Sequence, residues 1–293
     1  RADGLEAVQA QELFLLGLIR IAVVWIMAGF TLHLRLKAST VGLMWHLWLE
    51  TGLSYTVVGC IDGINLFGDG HTVRGNYIGT TAAGDAPLGN GAQGVFVEAG
   101  SNNNTIGGPT AAHGNVISGN GAGDAAAYVD GVTTSGNVIQ YNSIGTNAAG
   151  TAAIPNNLHG VRIDQSPSNQ ILDNLISGND VHGIYVFGAS STGTQILRNT
   201  IGTNATETAA IPNLFDGIRL ENGSSGTVIG SAGNGNVISG NAQHGITIND
   251  NDSNTIQANF IGTDAGEVQV LGNGDSGVFN EAFGSSDNLI GGD

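Results

Sequence analysis

Three segments of the chain carry side chains that could recognise a sugar. They read Gly160-Val-Arg-Ile-Asp164, Gly183-Ile-Tyr-Val-Phe187 and Gly217-Ile-Arg-Leu-Glu221. In each segment apolar residues alternate with polar or aromatic ones, so a strand here would turn the second set to solvent. Aromatic rings stack on the apolar faces of sugar rings, and charged groups pair with hydroxyls. The segments therefore predict a polysaccharide-binding set that comprises Arg162, Tyr185, Phe187, Arg219 and Glu221.

The same segments also hold groups that could catalyse a reaction on a sugar. Carboxylates can act as general acids and bases, and arginines can stabilise negative charge that develops during the reaction. The candidate catalytic residues are Arg162, Asp164, Asp216, Arg219 and Glu221. A third interpretation is structural, because ion pairs and aromatic contacts between neighbouring strands stabilise an exposed sheet without binding anything.

A second set of polar residues stands directly before the leading glycine of successive segments. It includes Gln93, Asp130, His159, His182, Asp216, His244 and Ser276. Histidines and a carboxylate on successive repeats could bind a metal or transfer protons, so His159, His182, Asp216 and His244 are weak metal-ligand candidates. Side chains stacked in a line do not converge as metal ligands must, however, and a structural ladder is the alternative. The sequence identifies no cofactor with certainty, although the polar turn 249–254 could hold Ca²⁺ through its oxygen atoms.

These residues are positioned by a repeat that covers residues 55–293. A glycine followed by alternating apolar residues recurs at Gly94, Gly160, Gly183, Gly217, Gly245 and Gly277, and two short apolar pairs follow most copies. Such short strands bury an apolar face only when successive turns stack. The pattern predicts an all-β, right-handed parallel β-helix solenoid of about seven to eight turns. The pattern also predicts that Val and Ile point inward, that asparagines form ladders at the bends, and that glycines at the corners have positive φ.

Stacking the repeats also predicts which outward side chains are neighbours. Tyr185 should lie between Arg162 and Arg219, at cation–π distance from both, and Phe187 between Asp164 and Glu221. A shorter, Thr-rich turn should separate the Phe96/Glu98 pair from the Arg162/Asp164 pair. Insertions recur on alternate turns, at 145–158, 202–215 and 263–276, and could form one wall of a cleft.

The clearest copies of the repeat, Asn115-Val-Ile-Ser-Gly-Asn120 and Asn236-Val-Ile-Ser-Gly-Asn241, carry a resemblance. The repeat resembles those of the right-handed parallel β-helix proteins with the pectin lyase fold: pectate lyases, polygalacturonases and alginate epimerases. It is most similar to extracellular bacterial repeat proteins rich in NVISGN and IGTN. The resemblance implies the scaffold and an extracellular or cell-surface location. It does not imply catalysis, because the catalytic strings of the hydrolases and epimerases are absent and no cluster of three acids is predicted beside Arg162 or Arg219.

Charge and composition bound the remaining possibilities. The chain has 24 acidic and 8 basic side chains and a net charge of −16, which disfavours nucleic acid as a partner. Cys60 is the single cysteine, so no internal disulfide is possible. Residues 1–54 contain no Asn, whereas residues 55–293 contain 30, so the chain has two parts.

The N-terminal part, residues 1–54, contains an apolar run at 13–32 that is interrupted by Arg20. It predicts an apolar cap for the β-helix, or a membrane anchor, since twenty residues suffice to span a bilayer, or a segment that does not belong to the native fold. At the other end the sequence stops within a turn, so further repeats or a capping domain are expected to follow. The sequence thus favours a cell-surface β-helix module that binds polysaccharide. The alternatives are a polysaccharide lyase, glycoside hydrolase or epimerase, and an adhesin-like stalk that binds nothing.

Overall fold

A computed structural model of the protein describes residues 54–121, 123–281 and 284–292. The predicted N-terminal cap or anchor lies outside these residues, as does the apolar run at 13–32. Within the described ranges, no helix has the length and apolar character needed to cross a bilayer.

Each turn of the chain contributes one short strand to each of three parallel sheets. We call the sheet with the longest strands the front sheet, and the next two along the chain the second and third sheets. The strands of the front sheet are Ile64–Leu66, Val95–Val97, Ala125–Asp130, His159–Asp164, Ile184–Phe187, Ile218–Glu221, Ile246–Asn249 and Val278–Glu281. Those of the second sheet are Thr72–Val73, Thr105–Gly107, Val138–Gln140, Gln170–Leu172, Gln195–Leu197, Val228–Ile229, Thr255–Ile256 and Leu289–Ile290. Those of the third sheet are Thr56–Val57, Tyr77–Ile78, Val116–Ile117, Ser143–Ile144, Leu175–Ile176, Thr200–Ile201, Val237–Ile238 and Phe260–Ile261.

This topology confirms the predicted parallel β-helix. The described strands make seven complete turns, and the strands at Val278–Glu281 and Leu289–Ile290 begin an eighth. A short 3₁₀ helix, Ala111–His113, lies between a second-sheet strand and a third-sheet strand. All but two of the described strands have two to four residues, a length that suits this coil because each strand needs to bury only one or two side chains per turn.

The interior is filled by columns of aliphatic side chains. Ile144, Ile176 and Ile201 are fully buried and stack on three successive turns of the third sheet, and the other two sheets contribute similar columns. In each two-residue strand of the third sheet the second residue points inward, and in most the first lies half-buried on the outer face. This alternation is the one that the repeat predicts.

Buried asparagines form ladders at all three bends, as predicted. Between the second and third sheets, the side-chain amide of Asn142 donates to Oδ1 of Asn174 at 3.0 Å, and that of Asn174 donates to Asn199 at 3.0 Å. The same acceptor oxygens also receive the backbone N–H of the preceding turn. Each rung therefore satisfies buried polar groups that no sheet hydrogen bond reaches.

The leading glycines are required by close packing, whereas the positive φ predicted for glycines is found at the corners. A Cβ on Gly183 would lie 2.6 Å from the carbonyl oxygen of Gly217 on the next turn, and φ of Gly183 is not in the left-handed region. Positive φ occurs instead at the bend glycines, for example Gly178 with φ of +76°. The two kinds of glycine therefore have different physical causes.

The insertions on alternate turns fold into small hairpins that contact one another. Their antiparallel bridges are Thr80–Pro87, Thr146–Ala153, Thr203–Ala210 and Thr263–Val270, so the row has one member more than the sequence indicated. The backbone N–H of Ala148 donates to Gly84 O at 2.8 Å, and that of Ala205 donates to Gly150 O at 2.9 Å. We call this continuous row the hairpin ridge.

Candidate functional site

The register of the front sheet sets two columns of outward side chains. The first column contains Asn65, Phe96, Tyr128, Arg162, Tyr185, Arg219, Thr247 and Phe279. The second column contains Asp130, Asp164, Phe187, Glu221, Asn249 and Glu281, with Glu98 directly following its strand. Tyr185 thus lies between Arg162 and Arg219, and Phe187 between Asp164 and Glu221, in the order expected from the repeat.

Tyr185 is half-buried at the centre of an aromatic cluster. Its ring centroid lies 4.7 Å from that of His159, 5.6 Å from that of His182 and 5.6 Å from that of Phe187. Its hydroxyl donates to Glu221 Oε2 at 2.9 Å. Burial and this hydrogen bond raise the pKa of Tyr185, so the phenol stays neutral at physiological pH.

Arg162 connects charged and aromatic groups of neighbouring turns. Its guanidinium carbon lies 5.3 Å from the ring centroid of Tyr128, 5.6 Å from that of Tyr185 and 5.7 Å from that of Phe187. It also pairs with Asp124 at 2.6 Å and Asp164 at 2.5 Å. Arg162 therefore makes the predicted cation–π contact with Tyr185.

Arg219, on the other side of Tyr185, is directed toward carboxylates, and the cation–π contacts of the described residues do not include the one predicted between Arg219 and Tyr185. Its Nε lies 2.8 Å from Glu221 Oε2, and its Nη1 lies 3.5 Å from Asp216 Oδ2. Arg219, followed by Tyr185, lowers the pKa of Glu221 below its usual value. Glu221 is thus an ionised acceptor shared by a guanidinium and a phenol.

The predicted Thr-rich turn is wrong, because the front-sheet strand of that turn is Ala125–Asp130. Gly131, with φ of +104°, is a bend residue, and Val132 beside it is 63% exposed. The true outward pair is Tyr128 and Asp130, so Asp130 belongs to the second column and not to the residues before the leading glycines. Ala126 takes the place of the usual glycine, which hid the strand from sequence reasoning.

The corrected register adds acids beside Arg162. Glu98, Asp130 and Asp164 follow one another on three turns, and Asp124 approaches from the start of the strand. Burial, and next the charge of Asp164, raise the pKa of Asp130 above its usual value. The ring of Tyr128 stacks on Phe96 with centroids 5.0 Å apart. This acidic and aromatic end of the face is not predicted from the sequence.

The residues before the leading glycines form a buried stack. The rings of His159 and His182 are parallel within 3°, with centroids 5.3 Å apart. The backbone N–H of Asp216 donates to His182 Nδ1 at 3.2 Å, so this nitrogen carries no proton. Burial, and next Arg162, lower the pKa of His159 to about 4, and burial, next His159, lowers that of His182 to about 3. Both rings are neutral at pH 7.

The remaining two members of this set are also occupied in hydrogen bonds. Asp216 has a side chain only 1% exposed, and its Oδ1 accepts the backbone N–H of His244 at 3.2 Å. His244 Nδ1 accepts the backbone N–H of Ser276 at 3.2 Å, and its ring stacks on Phe279 with centroids 4.6 Å apart. From His182 to Ser276 the set is a ladder in which each turn satisfies its neighbour, whereas Nδ1 of the buried His159 has no hydrogen-bond partner among the described residues.

Calcium is not supported at the polar turn 249–254. Asn251 accepts from Ser224 at 2.7 Å, Asp252 accepts from Ser286 at 2.6 Å, and Asn254 accepts from Thr227 at 2.9 Å. These oxygen atoms belong to contacts between turns and do not form a shared cage.

Comparison with protein families gives one match. The family described as "periplasmic copper-binding protein (NosD)" matches residues 56–213, which is more than half of the chain. Comparisons with curated proteins and with solved structures give no match. The periplasmic description confirms the expected location outside the cytoplasm, and the fold described above agrees with a family of β-helix repeats.

The described side chains do not fit a copper site. Copper binds imidazole and soft sulfur ligands that converge on the ion. The parallel rings of His159 and His182 direct their in-plane lone pairs side by side, and one nitrogen of His182 already accepts a backbone hydrogen bond. Among the described residues no group of three or more His, Cys, Asp or Glu side chains could hold a metal.

Proposed function

We propose that this chain, which belongs to the NosD family, is a β-helix module outside the cytoplasm that binds polysaccharide through its front sheet. One observation carries the proposal: Tyr185 and Phe187 lie on the outer face between guanidinium and carboxylate groups of the adjoining turns. Aromatic rings offer stacking surfaces for sugar rings, and the charged groups on both sides offer partners for hydroxyls.

The repeat supports a polymeric ligand. Outward side chains recur once per turn, about 4.8 Å apart, along eight front-sheet strands. A polymer laid along the columns would meet Tyr128, Arg162, Tyr185 and Arg219 in succession. A monosaccharide would contact only one or two of these groups.

Charge narrows the class of polysaccharide. The second column and its extension carry the carboxylates of Glu98, Asp130, Asp164, Glu221 and Glu281, against the two guanidinium groups of the first column. This excess of negative charge repels uronate polymers and favours neutral or amino-sugar chains. Such a face does not match the acidic substrates of pectate lyases.

A carbohydrate-active enzyme is the second candidate, and it is favoured by one observation that the sequence did not provide. Asp130, whose pKa is raised by burial and next by the charge of Asp164, stands beside Arg162 and Tyr128, so it could donate a proton to a substrate. Asp216, by contrast, is buried and bonded to its neighbours, which favours a structural part for it. Arg162, Asp164, Arg219 and Glu221 stay candidates for substrate contact.

A glycan array with the full chain, with and without Ca²⁺, tests these candidates. The proposal predicts retention of neutral or amino-sugar polymers, no released products and no dependence on Ca²⁺. Shortened or unsaturated products would establish the enzyme and direct attention to Asp130 and Asp164. Absence of binding to every glycan would contradict the proposal and favour a stalk that binds nothing.

A further inference from the structure

The hairpin ridge borders the third sheet, away from the face considered so far. A Cβ on Gly84 would lie 2.7 Å from Cε1 of Tyr77, and one on Gly150 would lie 2.7 Å from Cδ2 of Leu175. Tyr77 and Leu175 are outward residues of third-sheet strands. The wall that the insertions were expected to form therefore stands along the outer face of the third sheet.

The opposite border consists of the bends between the second and third sheets. Equivalent bend positions on three successive turns are occupied by Tyr141, Asp173 and Arg198, whose φ angles are +57°, +55° and +56°. Left-handed backbone favours Gly and Asn, and a bulky residue such as Tyr or Arg is uncommon there. These positions direct a phenol, a carboxylate and a guanidinium toward the same strip of surface.

Between the two borders lies a groove made of two adjoining depressions of about 260 and 310 Å³. The two depressions are continuous because both are lined by Ala111, Tyr141, Ser143 and Ala148. Its floor is formed by the outward, half-buried side chains of Tyr77, Val116, Ser143, Leu175 and Thr200. Five turns span about 19 Å at the usual spacing between neighbouring strands.

The charges in the groove balance. Arg198 binds Asp173 through two hydrogen bonds of 2.8 Å, and its Nη1 donates to Asn234 at 2.7 Å. The rest of the lining is tyrosine, hydroxyl, amide and small aliphatic groups. A groove without net charge, with two phenol rings and several hydroxyls, fits an uncharged polyhydroxylated chain and disfavours phosphate or uronate polymers.

We infer that this groove, lined by Tyr77, Tyr141 and Arg198, is a second carbohydrate site that takes a neutral oligosaccharide of several units. The inference rests on the proposed function, because it assigns the same class of ligand to a different face. In it Tyr77 and Tyr141 stack on sugar rings, and the Arg198–Asp173 pair exchanges hydrogen bonds with hydroxyls. The hairpin ridge confines the bound oligosaccharide to one direction, along the axis of the coil.

Two matched pairs of variants test the groove in the full chain. Tyr141→Asn removes the ring and keeps a residue suited to positive φ, and Ala258→Asn introduces the same residue at an equivalent bend outside the lining. Ala148→Trp fills the groove from the ridge, and Ala152→Trp adds the same bulk at an exposed ridge position outside the lining. Ala148 and Ala152 are both exposed, and circular dichroism of all four variants checks that a lost affinity does not reflect lost folding.

The probes are the hexasaccharides of β-1,4-glucan, β-1,4-xylan and β-1,4-mannan, titrated by calorimetry and located by hydroxyl-radical footprinting. We expect protection of Tyr77 and Tyr141, and an affinity about tenfold lower for Tyr141→Asn and Ala148→Trp with both controls unchanged. Protection confined to Tyr185 and Phe187, or unchanged affinity in both groove variants, would overturn the groove and leave the front-sheet proposal standing. Protection confined to the groove would support the inference, and no binding by any of these probes would overturn it, while the front-sheet proposal is judged separately on the glycan array.

Discussion

The phenol of Tyr185 and the carboxylate of Glu221, on adjacent turns of the front sheet, are joined by a hydrogen bond of 2.9 Å. Glu221 also pairs with Arg219, and these two partners together lower its pKa, with Arg219 as the larger cause. The centre of the proposed binding face is therefore preorganised before any ligand arrives, which lowers the entropic cost of binding.

This relationship predicts the order of two effects on the pKa of Glu221. Arg219→Gln should raise that pKa more than Tyr185→Phe does, because the lost guanidinium carried both charge and a hydrogen bond. Carboxyl titration by NMR measures both. A larger shift in the Tyr185→Phe protein would contradict the assignment of causes.

The stacked histidines predict a loss of stability in acid. Burial lowers the pKa of His159 to about 4 and that of His182 to about 3, whereas an unfolded histidine titrates near 6.5. The unfolded state therefore binds more protons below about pH 6.5, so stability present above that pH declines as pH falls toward 4. Each histidine contributes a slope of up to roughly 1 kcal/mol per pH unit.

The measurement is the free energy of unfolding in urea between pH 7 and 4.5. The His182→Gln protein should show a shallower pH dependence, whatever its stability at pH 7. The His113→Gln protein, altered in the 3₁₀ helix away from the stack, should keep the original slope. Equal slopes for His182→Gln and the unaltered protein would refute the buried neutral stack.

The asparagine ladder predicts a large cost for removing one rung. Asn174 accepts the side-chain and backbone N–H groups of Asn142 and donates to Asn199 and to the Ile139 carbonyl. Asn174→Ala leaves buried partners unsatisfied, so unfolding should become easier by about 2–4 kcal/mol. Chemical denaturation checks this, with exposed Asn157→Ala as the control expected to stay within about 0.5 kcal/mol. Similar values for the two variants would show that the ladder adds little.

Gly183 tests why the repeat begins with glycine. A Cβ there would lie 2.6 Å from the Gly217 carbonyl oxygen, whereas a Cβ on Gly272 would meet nothing within 4 Å, and neither residue has positive φ. Gly183→Ala should therefore lower the stability by about 1–3 kcal/mol or more, because the backbone of the next turn must move. Gly272→Ala should be neutral or slightly stabilising. A neutral result at Gly183 in thermal unfolding would contradict the close approach.

The coil, its number of turns and most of its register could be predicted, because the period-two alternation and the ladder asparagines recur at regular positions in the sequence. The front-sheet strand Ala125–Asp130 was not predicted because Ala126 replaces the leading glycine. Gly131-Val132, at the next bend, has the sequence expected at the start of such a strand. The place of the insertions was uncertain for a different reason. Which sheet a hairpin borders depends on contacts such as Gly84 against Tyr77, which no local pattern encodes.

The groove borders were also beyond sequence reasoning. Tyr141, Asp173 and Arg198 stand at left-handed positions that composition assigns to Gly or Asn, so nothing local marks them as one surface strip. The burial of the histidine set could not be predicted from the sequence either, since a column of histidines has the same spacing whether it faces solvent or the interior of the bend.

The central claim is that the front sheet binds polysaccharide at Tyr185, and one comparison tests it most directly. The polymer retained most strongly by the unaltered full chain on the glycan array would be titrated against Tyr185→Ala and Phe279→Ala. Both changes remove a ring from the same column, but Phe279 lies three turns away. We predict an affinity about tenfold lower for Tyr185→Ala, with little change for Phe279→Ala and with both proteins folded. Equal affinity of Tyr185→Ala and the unaltered chain would contradict the claim.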